Sequence, residues 1–448
     1  VIIGTSRRVR FAIPGAVPSG TVYVSVSGTD STSAPFASDN CAQLDVTHTS
    51  VTLAACVPTS SLGVYAPVTP GPVTAYVPKG WWGGSVTGIK VVQVETGGGP
   101  VVPAATVPTT STVNSCAVNP ATGEAVCVAN DTKVYTLSGA AITNTLNSSS
   151  NANASFSGGA CRNCGVAINA LTNQAVIAMG LSPSPSNSGI QILDLGPHTF
   201  QPPIAANHVI SEDISIDPTR GYILSPGESG FYDLFTFNST TGAVTGQVSN
   251  YIATLSSVGG QIGGELDSAA EDCTTGLALT VGEFTENLYV ADLTQKTSPG
   301  PGLWTAPQKV EFLSGASLSA GASGVTVAPG SSHLGYASGE FGGASFVVFQ
   351  LPATSGSGTP GLVDYAVVPS TSVPGFSAGF DPHTMTAYTS PNDGKAWGLQ
   401  ANWASGSPTS LLKMDLAAIL AAPRVAGTHT VSVANLVTAG LVSFIPAP

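Results

Sequence analysis

Acidic side chains that could bind a metal ion cluster in two short segments of the chain. Glu212 and Asp213 lie just before a turn at Asp217, and Asp267 lies just before a similar turn at Asp272. Carboxylate oxygens are the ligands that Ca²⁺ prefers in proteins. Glu212, Asp213 and Asp267 are therefore candidate ligands of a Ca²⁺ ion. The interpretation that we favour is a solvated acidic rim with no required cofactor, and a Ca²⁺ site at these three residues is the alternative.

One segment matches a catalytic motif in its letters only. Gly375-Phe376-Ser377-Ala378-Gly379 fits the G-x-S-x-G pattern. That pattern positions a nucleophile only where a strand turns sharply into a helix beside an oxyanion hole. Here the motif leads into a further strand pattern with no helix after it. We therefore expect Ser377 not to be catalytic, and the chain as a whole favours a protein that is not an enzyme.

Two of the seven cysteines are placed for a cross-strand disulfide. Cys116 and Cys127 flank the turn Asn119–Gly123 symmetrically. The register of a hairpin with this turn sets the two residues opposite each other. A disulfide between Cys116 and Cys127 is the pairing that the sequence favours most.

The other five cysteines allow two further disulfides. Cys41 and Cys56 bracket the end of the first repeat unit, and Cys161 and Cys164 could close a small loop, which leaves Cys273 unpaired. A redox or metal role for Cys161 and Cys164 is the alternative, but no second C-x-x-C motif or nearby histidine cluster accompanies them. The disulfide interpretation implies an oxidising compartment.

The elements that position these residues recur with a period near 50 residues. Each unit is an apolar run, a turn rich in Pro, Asn or Asp, and a second apolar run. The turns begin at residues 119, 169, 217, 272, 328 and 381, with spacings of 50, 48, 55, 56 and 53 residues. Asp or Asn caps such a turn, Pro presets φ, and Gly accepts the positive φ that closes it. A period of this length with four strands per unit predicts an all-β propeller of antiparallel blades.

The number of blades depends on how the first 60 residues are interpreted. A seventh turn lies near residue 66, and a further step back reaches Ile13-Pro14-Gly15. Eight blades are the preferred count, with residues 1–60 as the first. The alternative is seven blades in residues 61–448 preceded by an N-terminal β extension. One short helix is expected at Met414–Ala421.

The Asp/Asn-Pro-x-Thr-Gly turns resemble those of bacterial secreted propellers with YVTN- or NHL-like repeats, a group that grades into lactonase-like propellers. The resemblance covers about the last three-quarters of the chain and concerns the fold. It implies a β-propeller. It also implies a position for a metal-dependent hydrolytic site, because lactonase-like propellers hold a metal ion in the channel.

Composition and charge narrow the function class. The chain has 52 Gly, 33 Pro and only 8% charged residues, which is typical of an extracellular all-β protein. Its net charge of −12 argues against nucleic acid and anionic membrane surfaces as partners. No apolar run is long enough to insert into a membrane. The chain begins at Val1 without a signal peptide, so we expect a processed, secreted protein.

Aromatic and basic residues near the N-terminus are candidates for binding or assembly. Adjacent side chains of an extended segment point to opposite faces, so at least one of Trp81 and Trp82 is expected to be exposed or covered by a glycan or protein partner, unless both pack between blades. Arg7, Arg8 and Arg10 form a basic segment on an acidic chain. They either protect an edge strand or dock on an acidic neighbour.

Both ends of the chain read as the same strand of a blade. Residues 437–446, with Leu441, Phe444 and Ile445 as candidate assembly residues, look like the first strand of one more unit, and residues 9–14 look like that strand too. A closed ring needs only one of them. The other either caps an edge within the molecule or pairs with a neighbouring subunit by strand addition.

The function that these features favour is structural. We expect a secreted, non-enzymatic propeller that acts as a surface, adhesive or fibre-forming protein and associates with copies of itself. A lactonase-like hydrolase with its site in the channel, or a glycan-binding propeller, is the alternative.

Overall fold

The computed structural model describes most of the chain beyond residue 61 and four short strands before it. The described residues are 21–24, 27–29, 35–37, 42–45, 62–67, 70–80, 85–99, 103–148, 163–180, 188–207, 213–227, 231–248, 266–282, 285–295, 303–304, 308–309, 322–330, 332–339, 345–355, 360–376, 383–404 and 407–447.

Seven antiparallel sheets follow one another along residues 62–447, and each is a propeller blade whose first strand is innermost. Blade 1 consists of β5 (Gly63–Tyr65), β6 (Val73–Pro78), β7 (Ile89–Glu95) and β8 (Ala105–Val107), and blade 2 of β9 (Val113–Val118), β10 (Ala125–Ala129), β11 (Lys133–Ser138) and β12 (Ala141–Asn147). Blade 3 consists of β13 (Asn163–Asn169), β14 (Gln174–Met179), β15 (Gly189–Asp194), β16 (Thr199–Phe200) and β17 (Ile204–Ala205). Blade 4 consists of β18 (Ser215–Asp217), β19 (Tyr222–Gly227), β20 (Phe231–Phe237) and β21 (Val244–Val248). Blade 5 consists of β22 (Leu266–Asp272), β23 (Leu277–Gly282), β24 (Thr285–Asp292), β25 (Leu303–Trp304) and β26 (Gln308–Lys309). Blade 6 consists of β27 (Ala322–Val327), β28 (Leu334–Gly339), β29 (Phe346–Gln350) and β30 (Asp364–Val368). Blade 7 consists of β31 (Met385–Thr389), β32 (Ala396–Ala404), β33 (Ser407–Asp415) and β34 (Val442–Pro446).

Four further strands precede the ring and belong to no blade. They are β1 (Thr21–Val24), β2 (Ser27–Thr29), β3 (Pro35–Ala37) and β4 (Ala42–Asp45). Within the described residues, β1 pairs with β4 and β2 pairs with β3. The preference for eight blades is therefore wrong, and the alternative of seven blades after an N-terminal β segment is confirmed. The sequence repeat was identified by its hairpin turns, and each such turn joins only two strands. The repeat therefore does not show whether the two strands gain further partners and become a four-stranded sheet.

The seven blades close into a ring through their innermost strands. Each innermost strand contacts the innermost strand of the next blade, and β31 of blade 7 contacts β5 of blade 1. Apolar side chains from adjacent blades fill the space between the sheets, as in the cluster that joins Leu279 and Val290 of blade 5 to Val325 and Phe349 of blade 6. Packing of this kind is the main favourable term in the stability of such a ring.

The predicted turns connect the first and second strands of the blades. Asn119 Oδ1 accepts a hydrogen bond from Ala121 N at 2.9 Å, and Gly123 closes the turn with a φ of 76°. Asp217 Oδ1 accepts from the backbone N–H groups of Thr219 and Arg220, each at 2.9 Å. The short polar side chain therefore replaces backbone partners that the turn cannot supply.

The corresponding turn of the last blade does not lie at Asp381. The hairpin of β31 and β32 turns at Ser390–Gly394, where Gly394 N donates to Ser390 O at 2.9 Å. Asp381 itself lies outside the described residues, ahead of β31. Ser390-Pro391-Asn392 offers a turn of the same chemistry as Asp381-Pro382, so the sequence alone placed the last hairpin one strand too early.

The C-terminal strand belongs to blade 7, so the expectation that residues 437–446 begin another unit is wrong. β34 is the fourth strand of that blade and pairs antiparallel with β33, with Leu412 opposite Phe444. The predicted helix is present as α1 (Leu416–Leu420), and Asp415 caps its N-terminus. A first strand and a fourth strand are both short apolar runs, and only the partner strand distinguishes them.

Residues 421–436, here called the strap, connect α1 to the C-terminal strand and cross the outer edge of blade 6. Val367 N of β30 donates to His429 O at 2.9 Å, and Val431 N donates back to Val367 O at 2.8 Å. Arg424 binds both carboxylate oxygens of Asp364, at 2.7 and 2.6 Å. The strap therefore acts as an added strand on blade 6.

The interface between blades 7 and 1, here called the closure seam, is held by a buried ionic cluster. Glu95 of β7 accepts hydrogen bonds from Tyr388, Ser390, Asn392 and Lys413, at 2.6 to 2.7 Å. Burial opposes ionisation of Glu95, but these hydrogen bonds outweigh it and lower the pKa of Glu95. The carboxylate therefore stays charged at the place where the ring closes.

The predicted disulfide between Cys116 and Cys127 is confirmed. The two residues face each other in the pairing of β9 with β10. Cys164 and Cys273 also take part in disulfide bonds, so the expectation that Cys273 is unpaired is wrong. Cys41, Cys56 and Cys161 lie outside the described residues. Among the helices of the described chain, none is long and apolar enough to cross a membrane.

Candidate functional site at the channel mouth

The innermost strands of the blades begin together at one end of the ring, which is here called the channel mouth. At this end Asn114 Nδ2 of blade 2 donates to Asn163 O of blade 3 at 2.8 Å. At the other end the turn residues meet, since Asn119 Nδ2 donates to Asn173 Oδ1 at 2.7 Å. The residues at the start of each innermost strand, one strand length before the turn, therefore lie at the mouth.

Asp213 and Ser268 join blades 4 and 5 at the mouth. Ser268 Oγ donates to Asp213 Oδ2 at 2.7 Å, and Ile214 N donates to Asp213 Oδ1 at 3.0 Å. Ser268 Oγ also accepts from Val325 N of blade 6 at 3.2 Å. Burial raises the pKa of Asp213 to about 7, although both hydrogen bonds oppose the rise. This carboxyl group therefore exchanges a proton near neutral pH.

Asp267 and His383 meet across blade 6. His383 Nε2 lies 3.7 Å from Asp267 Oδ2, and both side chains are at least 90% buried. Burial lowers the pKa of His383 to about 4, so the imidazole is neutral at neutral pH. A neutral imidazole beside a carboxyl group is an arrangement that can accept and donate protons.

The site lacks the geometry of a serine nucleophile. The hydroxyl of Ser268 is used to hold Asp213, and it donates to a carboxylate instead of to an imidazole. Two other buried serines of innermost strands, Ser115 and Ser323, have hydroxyl oxygens without a hydrogen-bond partner in the described part of the molecule. The mouth is thus a small polar zone in which proton transfer or the binding of polar groups is chemically feasible.

The described residues only partly fit the predicted Ca²⁺ site. Asp213 and Asp267 both lie at the mouth, whereas Glu212 lies outside the described residues. Over the described ranges, no group of three or more His, Cys, Asp or Glu side chains is arranged to hold a metal ion. Both oxygens of Asp213 already accept hydrogen bonds. The Ca²⁺ site therefore stays a prediction that depends on Glu212.

Sequence reasoning overlooked His383, and Phe376 of the G-x-S-x-G segment packs against the hydrophobic core. Phe376 packs against Phe346, with ring centroids 5.0 Å apart, and so belongs to the hydrophobic core instead of the mouth. Recognising Ser390-Pro391-Asn392 as the last hairpin would have placed His383 just before the innermost strand of blade 7, beside the mouth. Ser377 lies outside the described residues.

The remaining predicted residues divide into two groups. Leu441, Phe444 and Ile445 are partly buried and pack against the core of blade 7 and the closure seam. Five others lie outside the described residues: Arg7, Arg8, Arg10, Trp81 and Trp82.

No family model and no curated protein sequence matches this chain.

Proposed function

We propose that this chain is an extracellular, non-enzymatic propeller that self-associates into a surface, adhesive or fibre-forming structure through strand addition. One observation carries the proposal. The ring is complete without the N-terminal segment, because blade 7 takes its fourth strand from residues 442–446. The N-terminal strand pattern at residues 9–14 is therefore the surplus strand of the two that the sequence suggested.

The charge distribution supports the same function. The first ten residues carry Arg7, Arg8 and Arg10 and no acidic residue, while the rest of the chain has 25 Asp and Glu against ten Lys and Arg. Complementary charge between a basic segment and an acidic body favours association with a second copy and speeds the encounter. The disulfide between Cys116 and Cys127 is consistent with an oxidising, extracellular setting.

Light scattering and negative-stain electron microscopy of the full chain test this function. We expect oligomers or filaments for residues 1–448 and monomeric rings for a chain that begins at residue 15. Deletion of residues 437–448 is not a usable test, because it removes β34 from blade 7. A full chain that stays monomeric at every concentration tested would contradict the proposal.

A metal-dependent, lactonase-like hydrolase is the second candidate, because His383 lies 3.7 Å from Asp267, and Asp213 is hydrogen-bonded to Ser268, the next residue in the chain after Asp267. Under this function, Asp267→Asn abolishes both Ca²⁺ binding and ester or lactone turnover. Asp292→Asn is the matched control, since Asp292 is the last residue of β24 in the same blade and accepts a hydrogen bond from Thr294 N. Calorimetry that detects no Ca²⁺ binding to the unaltered chain would remove this candidate.

A glycan-binding role at Trp81 and Trp82 is a further alternative that follows from the sequence alone. Exposed indole rings stack on sugars. Replacing both by alanine is then expected to abolish retention on a glycan array, and unchanged retention would contradict it.

A further inference from the structure

The outer edges of the seven blades are protected very unequally. The outermost strand of a blade presents backbone N–H and C=O groups that can pair with another chain, and proteins usually protect such edges. Blade 6 is covered by the strap, which pairs with Val367. Blade 1 ends in the three-residue strand β8, and the outer strands of blades 3 and 5 are each split into two-residue pieces.

Blade 7 carries a different protection at its edge. Ala447 N donates to Thr409 O, and Asp415 N donates to Leu441 O, so the hydrogen-bonded positions of β34 are the odd-numbered residues. The N–H groups of the even-numbered residues point outward, because the two kinds of position alternate along an antiparallel strand. Pro446 occupies one of these outward positions and has no N–H to offer.

Blade 4 has an edge of intermediate length. Its outer strand β21 has five residues, a register shift opposite Thr236 and Phe237, and Gly246 in its interior. The outer strand of blade 2, β12, has a register shift of the same kind, opposite Thr136 and Leu137, so the shift does not distinguish the two edges. The shorter length and the interior glycine of β21 are what weaken pairing along the edge of blade 4. Blade 4 is therefore a poorer acceptor than a longer strand without glycine.

Blade 2 has the longest outer strand among the described blades. β12 reads Ala141-Ile-Thr-Asn-Thr-Leu-Asn147 and contains no charged residue, proline or glycine. Its side chains alternate between exposed and half-buried, and it pairs with β11 on one side only within the described residues. Ser148 N donates to Thr132 O, so the register leaves the N–H and C=O groups of Thr145 and Asn147 pointing outward.

We propose that β12 is the acceptor edge for self-association, and that residues 9–13 of a second copy pair with it as a fifth strand of blade 2. This inference rests on the proposed function and names its two contacting segments. The donor is Val9-Arg-Phe-Ala-Ile13, whose large apolar residues Val9, Phe11 and Ile13 occupy alternate positions and so share one face of an extended strand. No described blade uses it, and Arg10, together with Arg7 and Arg8 just before it, suits a body with excess acidic charge.

Substitutions at Thr145 test the acceptor edge. Thr145→Pro removes an outward N–H and sterically blocks the edge, but it costs no hydrogen bond between β11 and β12, because Thr145 and Tyr135 form a non-hydrogen-bonded pair. Thr145→Val keeps the N–H and the strand propensity and is the matched control. We expect loss of assembly for Thr145→Pro and retained assembly for Thr145→Val, with unchanged thermal unfolding of both.

A charge on the edge gives a second test that does not depend on proline. Thr145→Lys places a cation on the acceptor strand, facing the basic donor, and Thr245→Lys makes the same change at an exposed threonine of blade 4. We expect weaker assembly only for Thr145→Lys. Assembly of both Thr145→Pro and Thr145→Lys at the level of the unaltered chain would overturn the inference.

Disulfide trapping tests the donor. Chains carrying Ala12→Cys and chains carrying Thr145→Cys are mixed and oxidised, and a crosslinked dimer is expected only in the mixture. A crosslink confined to chains that carry both substitutions would show pairing within one molecule and would overturn the inference. If truncation to residue 15 prevents assembly while the Thr145 variants assemble normally, the proposed function stands and β12 is not the acceptor.

Discussion

The closure seam and the interface between blades 4 and 5 both bury carboxyl groups, but they hold them in opposite states. Glu95 of the closure seam has a lysine and three further donors around it, and its pKa is lowered. In the interface between blades 4 and 5, burial raises the pKa of Glu271 well above its ordinary value and that of Asp213 to about 7. The closure seam therefore holds its carboxylate in the ionised form, whereas the interface between blades 4 and 5 favours the protonated form of Glu271 and Asp213.

The pKa values of Glu95 and Glu271 shift in opposite directions because the two carboxyl groups have different hydrogen-bond donors available. Lys413 donates to Glu95 at 2.7 Å and also lies 4.0 Å from the ring centre of Trp397, so its charge is balanced on two sides. Arg220, the cation between blades 4 and 5, is committed to Asp217 Oδ2 and Cys273 O. Glu271 has no hydrogen-bond partner for either carboxyl oxygen in the described molecule. A buried acid without a donor becomes protonated.

The largest expected effect is at the closure seam. Glu95→Ala leaves the buried ammonium of Lys413 and three donors without their acceptor, and loss of one partner of a buried ion pair typically costs about 3–5 kcal/mol. Urea unfolding measures the change in free energy. A cost below about 1 kcal/mol would show that the cluster behaves like an exposed ion pair.

The second prediction concerns pH and Asp213. Its pKa is raised from 3.8 to about 7 in the folded chain. The stabilisation is therefore complete below pH 3.8 and is lost as the pH rises towards 7. Asp213→Asn is expected to stabilise the protein at pH 8 by about 4 kcal/mol and to change little at pH 4.

Glu95 gives the opposite pH dependence. Its pKa is lowered below 4.5, so its contribution is present above that value and is lost as the pH falls through the folded-state pKa. Thermal unfolding between pH 3 and 8 distinguishes the two variants. Equal pH profiles for Asp213→Asn and Glu95→Gln would contradict the contrast between the interfaces.

A smaller effect is expected for Glu271→Gln. A protonated carboxyl and an amide have similar shape and charge, so the change in unfolding free energy should stay below about 1 kcal/mol. Glu95→Gln is the same chemical change at the closure seam and should cost clearly more. If Glu271→Gln and Glu95→Gln lower the free energy of unfolding by the same amount, Glu271 is ionised in the folded protein.

The smallest effect is expected at the exposed margin of the closure seam. Asn392 exchanges hydrogen bonds with the backbone of Gly71 and donates to Glu95. Because this side chain is exposed, water replaces most of what Asn392→Ala removes, and the cost should be about 0.5 kcal/mol or less. Chemical denaturation of this variant beside Glu95→Ala shows how far the cluster depends on its buried members.

Local turn chemistry explains why much of the fold could be predicted. Asn119, Asp217 and Asp272 each accept hydrogen bonds from backbone N–H groups two or three residues later, and such turns leave a clear signature in the sequence. The disulfide of Cys116 and Cys127 followed from the same hairpin register. These features depend only on neighbours in the chain.

The features that sequence reasoning missed depend on distant partners. The contact of Glu95 with Lys413 spans 318 residues, and no local pattern announces it. The number of blades is set by how the faces of neighbouring sheets pack, and the four described strands before residue 61 pair in twos without completing a four-stranded blade. His383 was missed because two turns of the same chemistry lie nine residues apart and only one of them joins β31 to β32.

Each blade is built from one continuous stretch of chain, and this has a mechanical consequence. Among the described strands, blades 1 and 7 share none, so side chains instead of a shared sheet join the two blades where the ring closes. Tension that separates residue 63 from residue 446 acts first on the cluster around Glu95, and the hydrogen-bonded ladders within the blades bear load only afterwards. Under force, the ring is therefore expected to open at one joint into a curved array of folded blades, which lengthens the molecule without unravelling it.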